Sequence, residues 1–157
     1  MSWTLLTELK NFTSVPMLTS QESTEKIWTV GGKVRGNFGF SILGGASTHV
    51  QTIDLSTGEV TLLSDMAINR NISSNFGACT VMVDDKNLYV IGGLGIHSTD
   101  DWDYYGYHWT ADVTRNISML DTETGVWKTD LPRMKITRTR HQCLETTIDG
   151  NRGKKLW

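Results

Sequence analysis

Two stretches of this chain run through the same order of features, and that internal repeat limits the fold more than anything else in the sequence. In Asn87-Leu88-Tyr89-Val90-Ile91-Gly92-Gly93 an apolar run ends in a double glycine, as it does in Phe38-Gly39-Phe40-Ser41-Ile42-Leu43-Gly44-Gly45, 48 positions earlier. Further on, Thr52-Ile53-Asp54-Leu55-Ser56-Thr57-Gly58-Glu59-Val60 aligns with Met119-Leu120-Asp121-Thr122-Glu123-Thr124-Gly125-Val126-Trp127 at an offset of 67. On this alignment the second unit carries 19 extra residues between its double glycine and its Asp-x-x-Thr-Gly turn.

Each feature has a physical reading. A buried strand that ends in Gly-Gly marks a tight turn, since glycine tolerates positive φ. Asp54 and Asp121 end the next strand, where a carboxylate accepts hydrogen bonds from the backbone of the turn that Gly58 or Gly125 completes. Val60 and Trp127 open a fourth strand and are placed to pack against a neighbouring sheet. Four short antiparallel strands bury too little to stand alone, so units of this kind are expected to stack.

Composition agrees. With 15 glycines, 2 prolines and 6 tryptophans among 157 residues, and no segment with four turns of helical periodicity, the chain reads as sheet and turn. A net charge of −2 argues against a broad nucleic-acid-binding face. No run approaches the roughly 20 apolar residues of a membrane span. The amino-terminal segment lacks the basic flank and apolar core of a signal peptide, so a cytoplasmic protein with reduced thiols is expected, and three Asn-x-Ser/Thr triplets read as chance. Two cysteines, Cys79 and Cys143, cannot build a disulfide framework or a four-thiolate metal site, and read as small buried apolar residues.

The apolar strand ending in Gly92-Gly93, Tyr89 two positions before Ile91, and Trp127 after the Asp121-x-x-Thr-Gly turn together resemble a kelch repeat, the four-stranded blade of a β-propeller. Arg138-Thr139-Arg140-His141 then leads into the next strand, as in such repeats. The resemblance implies an all-β fold of four-stranded antiparallel kelch-type blades in an incomplete propeller. Residues 1–26 are expected to hold the last strand of a preceding blade, near 3–6, and a connection through Val15-Pro16-Met17. A divergent repeat is expected over 27–76, a second over 77–141 with a long 94–113 loop, and the start of a third over 142–157. Strands 27–30 and 38–43 are assigned as the first two of the divergent repeat. In a competing register, Lys26 to Gly32 is the remnant of an earlier blade. In the second repeat strands are expected at 78–83, 88–91, 117–120 and 126–129.

Two clusters are candidates for binding. The loop holds Asp100, Asp101, Trp102, Asp103, Tyr104, Tyr105, Tyr107, His108 and Trp109, rigid aromatics mixed with negative charge, which suit a protein partner with a basic segment. The bland alternative is that these aromatics fold back and pack the loop against itself. Arg138 and Arg140 are candidates for recognising acidic groups, against the alternative of a solvated basic connection. No calcium-loop spacing accompanies the aspartates, no Gly-x-Ser-x-Gly elbow is present, and His141 with Cys143 supplies only two ligands. The reading therefore assigns no catalytic residue, no metal and no cofactor.

By resemblance, the function implied is protein–protein interaction, as in substrate-recognition propellers of cullin-type ubiquitin ligase adaptors. The alternatives are an actin-associated scaffold, a propeller enzyme or sugar-binding domain, and a non-functional fragment. Partners would include the remaining blades of a longer chain or a second copy, with nucleic acid and membrane excluded.

Overall fold

The computed structural model describes residues 17–32, 48–63, 75–103, 106–147 and 154–156, with 75–76, 95–103, 106–112, 146–147 and 154–156 described by their backbone. Two four-stranded antiparallel sheets form its body. In the first, β1 (Met17–Gln21), β2 (Lys26–Val30), β3 (Val50–Asp54) and β4 (Val60–Leu62) lie side by side in chain order, with a 3₁₀ turn at Glu22–Thr24 between β1 and β2.

Before the second sheet comes β5 (Asn75–Phe76). That sheet consists of β6 (Cys79–Val83), β7 (Asn87–Ile91), β10 (Ile117–Asp121) and β11 (Trp127–Lys128), again in chain order across the sheet. Between its second and third strands the chain makes β8 (Leu94–Asp103) and β9 (Gly106–Val113), which pair with each other and, through β8, with β5. A last antiparallel pair is β12 (Glu145–Thr147) and β13 (Lys154–Leu156). No helix among the described residues is long and apolar enough to cross a membrane.

The two sheets repeat in detail. Asp54 Oδ1 accepts from the Ser56 and Thr57 amides at 2.9 Å, and Asp121 Oδ1 accepts from the Glu123 and Thr124 amides at 3.0 and 3.2 Å. The residue after each aspartate docks that turn on the hairpin between the first two strands: Leu55 N donates to Glu25 O and Thr122 N to Lys86 O. These local bonds close the β3–β4 and β10–β11 connections without help from the core.

The first repeat differs from the sequence-based expectation in its register. Residues 27–30 belong to its second strand, and Met17, expected in a connection, begins its first. The double glycine corresponding to Gly92-Gly93 is Gly31-Gly32: both pairs follow the second strand, with φ of 59° and 108° in the first sheet and 67° and 98° in the second. It is no remnant of an earlier blade, because Lys26–Val30 pairs along its length with Val50–Asp54. The offset between these glycine pairs is 61, so the second unit is longer by 6 residues at this point, not 19. The strands expected at 3–6 and 38–43, with Gly44 and Gly45, lie outside the described residues.

Packing follows from period-two alternation with both faces covered. Met82, Leu88, Val90 and Leu120 point from the second sheet into a cluster with Met17, Trp28, Val30 and Val50 of the first, and Trp127 packs against it. The other face of the second sheet sends Val81, Val83 and Ile91 into a second cluster with Tyr89, Ile117, Met134 and Cys143. The first strand of the second sheet is the meeting point, with β1 against β6 on one side and β12 against β6 on the other. Thr80 Oγ1 donates to Leu18 O at 3.0 Å across the first of these junctions. Successive sheets meeting through their first strands is the arrangement of propeller blades, and the described sheets do not close into a ring.

Candidate functional site

The connection between β7 and β10 is a β-hairpin where a loop was expected. Strand pairing runs from Leu94↔Val113 to Asp103↔Gly106, with an irregularity between Ser98 and Trp102. Its root is fixed by the double glycine: Gly92 N donates to Asn116 O and Thr114 N to Gly93 O, both at 2.9 Å. Asp100, Asp101, Trp102 and Asp103 therefore lie on β8, and Tyr107, His108 and Trp109 on β9. Tyr104 and Tyr105 lie outside the described residues.

Arg138 and Arg140 are exposed, and their backbones perform the structural work. Arg138 O accepts from Gly93 N at 2.8 Å, and Arg140, at φ 52°, donates from its amide to Gly77 O at 2.7 Å. Gly92 is what allows this approach. A Cβ there would lie 2.5 Å from Arg138 O and 3.0 Å from His141 Cε1. The second sheet thus carries the 138–141 segment close against the end of β7, and with it the His141 ring.

Beside that ring stands Cys79, the first residue of β6, paired in register with Ile91. Cys143, two residues before β12, completes the group. The two cysteines are joined in a disulfide between positions 64 apart with Cα atoms 5.8 Å apart, which corrects the expectation of free, reduced thiols. One ligand atom each from Cys79, His141 and Cys143 lies within 4.8 Å of the others. Both His141 ring nitrogens are buried and without a hydrogen-bond partner among the described residues. Burial, with the Arg138 charge nearby, lowers the pKa of His141 and favours the neutral ring with a free lone pair.

The expectation of a chain with no catalytic or cofactor potential is overturned by this cluster. Cys79 supplies the third ligand that His141 and Cys143 lacked: with the disulfide reduced, two thiolates and an imidazole are a donor set able to coordinate a metal ion. The sequence held a signal: Cys79 and Cys143 occupy equivalent places in successive units, near the start of a first strand. That such strands are neighbours emerges only once the sheets are stacked.

No family model matches the chain, and no curated protein does. Among solved structures it is similar to that of YjhT, with a TM-score of 0.59 and 14% identity over 91% of this chain and 34% of that one. At that identity the likeness concerns the fold, and this chain spans about a third of the YjhT chain.

Proposed function

We propose that the chain is part of a kelch-type β-propeller that acts as a protein–protein interaction module, with the β8–β9 hairpin as its recognition element. The supporting observation is the hairpin itself. Strands of 10 and 8 residues leave a sheet whose longest strands have 5, and they carry an acidic-aromatic sequence from Asp100 to Trp109. Three aspartates in four positions favour a basic segment of the partner protein by charge complementarity, and neighbouring aromatics supply apolar contact area. The remaining blades would come from a longer chain or a second copy. Within such a protein, this module would recognise substrates for a cullin-type ubiquitin ligase.

The test uses fluorescence anisotropy with labelled Lys/Arg-rich peptides and neutral peptides of the same length. The wild-type chain is expected to prefer basic peptides and to lose affinity as salt rises. The triple substitution Asp100→Asn, Asp101→Asn, Asp103→Asn is expected to cost about tenfold or more in affinity while circular dichroism stays unchanged. Equal binding of basic and neutral peptides, or an unaffected triple variant, overturns the reading.

A further inference from the structure

We propose that Cys79, His141 and Cys143 form a zinc site when the protein is reduced, and that oxidation to the Cys79–Cys143 disulfide closes that site. The inference is independent of the hairpin and stands on the junction between the second sheet and the chain entering the next.

Three features carry it. The donor atoms already lie within 4.8 Å of one another. Around a tetrahedral zinc ion, with Zn–S near 2.3 Å and Zn–N near 2.0–2.1 Å, donors stand about 3.5–3.8 Å apart. On reduction the two sulfurs part to about that separation by side-chain rotation, which Cα atoms 5.8 Å apart accommodate. The backbone is held meanwhile, by the bonds from Gly93 N to Arg138 O and from Arg140 N to Gly77 O. Finally, the His141 ring nitrogens are buried with no partner among the described residues, a costly arrangement for an imidazole unless something accepts its lone pair or proton.

The chemistry of the donors selects the ion. Two thiolates and an imidazole favour a thiophilic cation such as zinc over calcium or magnesium, which take oxygen ligands. Three protein ligands leave a fourth position for water, as in zinc sites that act on a bound molecule.

The exchange between states balances with a dithiol reductant. The reductant gives two electrons and two protons and becomes a disulfide, the Cys79–Cys143 S–S bond breaks, and two protein thiols form. Zinc then binds both sulfurs as thiolates, releasing the two thiol protons to buffer, while His141 donates a lone pair from its neutral ring. Either state ties the start of β6 to the segment leading into β12, so the blade junction is held by a covalent bond or by a metal according to redox conditions.

The test is a titration of the full chain with Co²⁺ as a spectroscopic probe, after treatment with chelator, in the oxidised and dithiol-reduced forms. The reduced protein is expected to bind one Co²⁺ per chain with thiolate-to-cobalt charge-transfer bands, and stoichiometric Zn²⁺ to bleach them. The oxidised protein is expected to show no such bands. Cys79 is buried and its replacement threatens folding, so the variants are His141→Gln and Cys143→Ser, each expected to weaken binding at least tenfold. Absence of the bands in the reduced wild-type protein overturns the proposal without recourse to any variant. So does equal binding by the oxidised protein, or wild-type affinity in His141→Gln.

Discussion

At Gly92 a single added methyl group decides whether the connection between sheets can form. Its φ is +67°, and a Cβ would meet the Arg138 carbonyl oxygen at 2.5 Å. Gly125 has nearly the same φ, +71°, but nothing within 4 Å of its Cβ position. Gly125→Ala is therefore expected to cost only the left-handed backbone penalty of about 1–2 kcal/mol. Gly92→Ala adds a backbone collision and is expected to cost clearly more in urea denaturation; equal midpoint shifts would refute the close-packing role given to Gly92. Asp54 offers a second residue-level prediction. The Ser56 hydroxyl and the Thr57 amide, donating to its carboxylate, lower its pKa from 3.8 to about 2. Because the folded pKa lies below the unfolded one, its contribution is full above about pH 4 and is lost as pH falls through about 2. Asp54→Asn is expected to flatten the fall in thermal stability between pH 5 and pH 2, and an unchanged acid limb would contradict this.

Among the elements, β6 and β7 are notable for being apolar on both sides, with Met82, Leu88 and Val90 facing the first sheet and Val81, Val83 and Ile91 facing the 134–143 segment. This explains why neither strand shows the apolar–polar alternation of a half-exposed sheet. Where β1 ends against the second sheet, a polar chain joins the two: Trp28 Nε1 donates to Gln21 Oε1 at 2.9 Å, and Gln21 Nε2 donates to Asp85 O at 2.7 Å. Gln21→Ala leaves the buried Trp28 indole N–H and the Asp85 carbonyl without this partner. A loss of about 1–3 kcal/mol is expected, read from the urea midpoint with tryptophan fluorescence as the probe. A shift below about 0.5 kcal/mol would mean that water replaces the amide at no cost. By contrast the Lys86–Glu123 pair, at 2.5 Å, joins side chains that are 41% and 68% exposed and adds little.

At the scale of the whole molecule, the described sheets meet through β1, β6 and β12, and covalent closure across one junction has a measurable consequence. The Cys79–Cys143 bond spans 64 residues and encloses the second sheet. In chelator, where no metal can substitute, reduction is expected to lower stability by about 2–4 kcal/mol. Urea midpoints that coincide with and without reductant would show that the loop is already closed by packing alone. Restoring zinc to the reduced chain is expected to recover part of the loss, since a ligand that binds only the folded state stabilises it.

What the sequence determined by itself was local. The Asp54 and Asp121 turns and the double glycine after β7 were legible because each is closed by neighbours within a few positions, through side-chain-to-amide bonds or positive φ. The strands of the second sheet were legible because they are short, largely apolar runs set between such turns. The first repeat was less legible. Gly31-Gly32 and Gly44-Gly45 both follow runs containing apolar residues, and only the pairing of Lys26–Val30 with Val50–Asp54 separates them. The hairpin is not legible in the sequence because its polar, aromatic strands pair with each other and with β5, apart from the four-stranded sheet, and carry no apolar periodicity of that sheet. The tertiary structure alone decided that Cys79 and Cys143, 64 positions apart, stand together beside His141. Stacking makes the first strands of consecutive blades neighbours, and no spacing within one repeat encodes a contact that exists only between two.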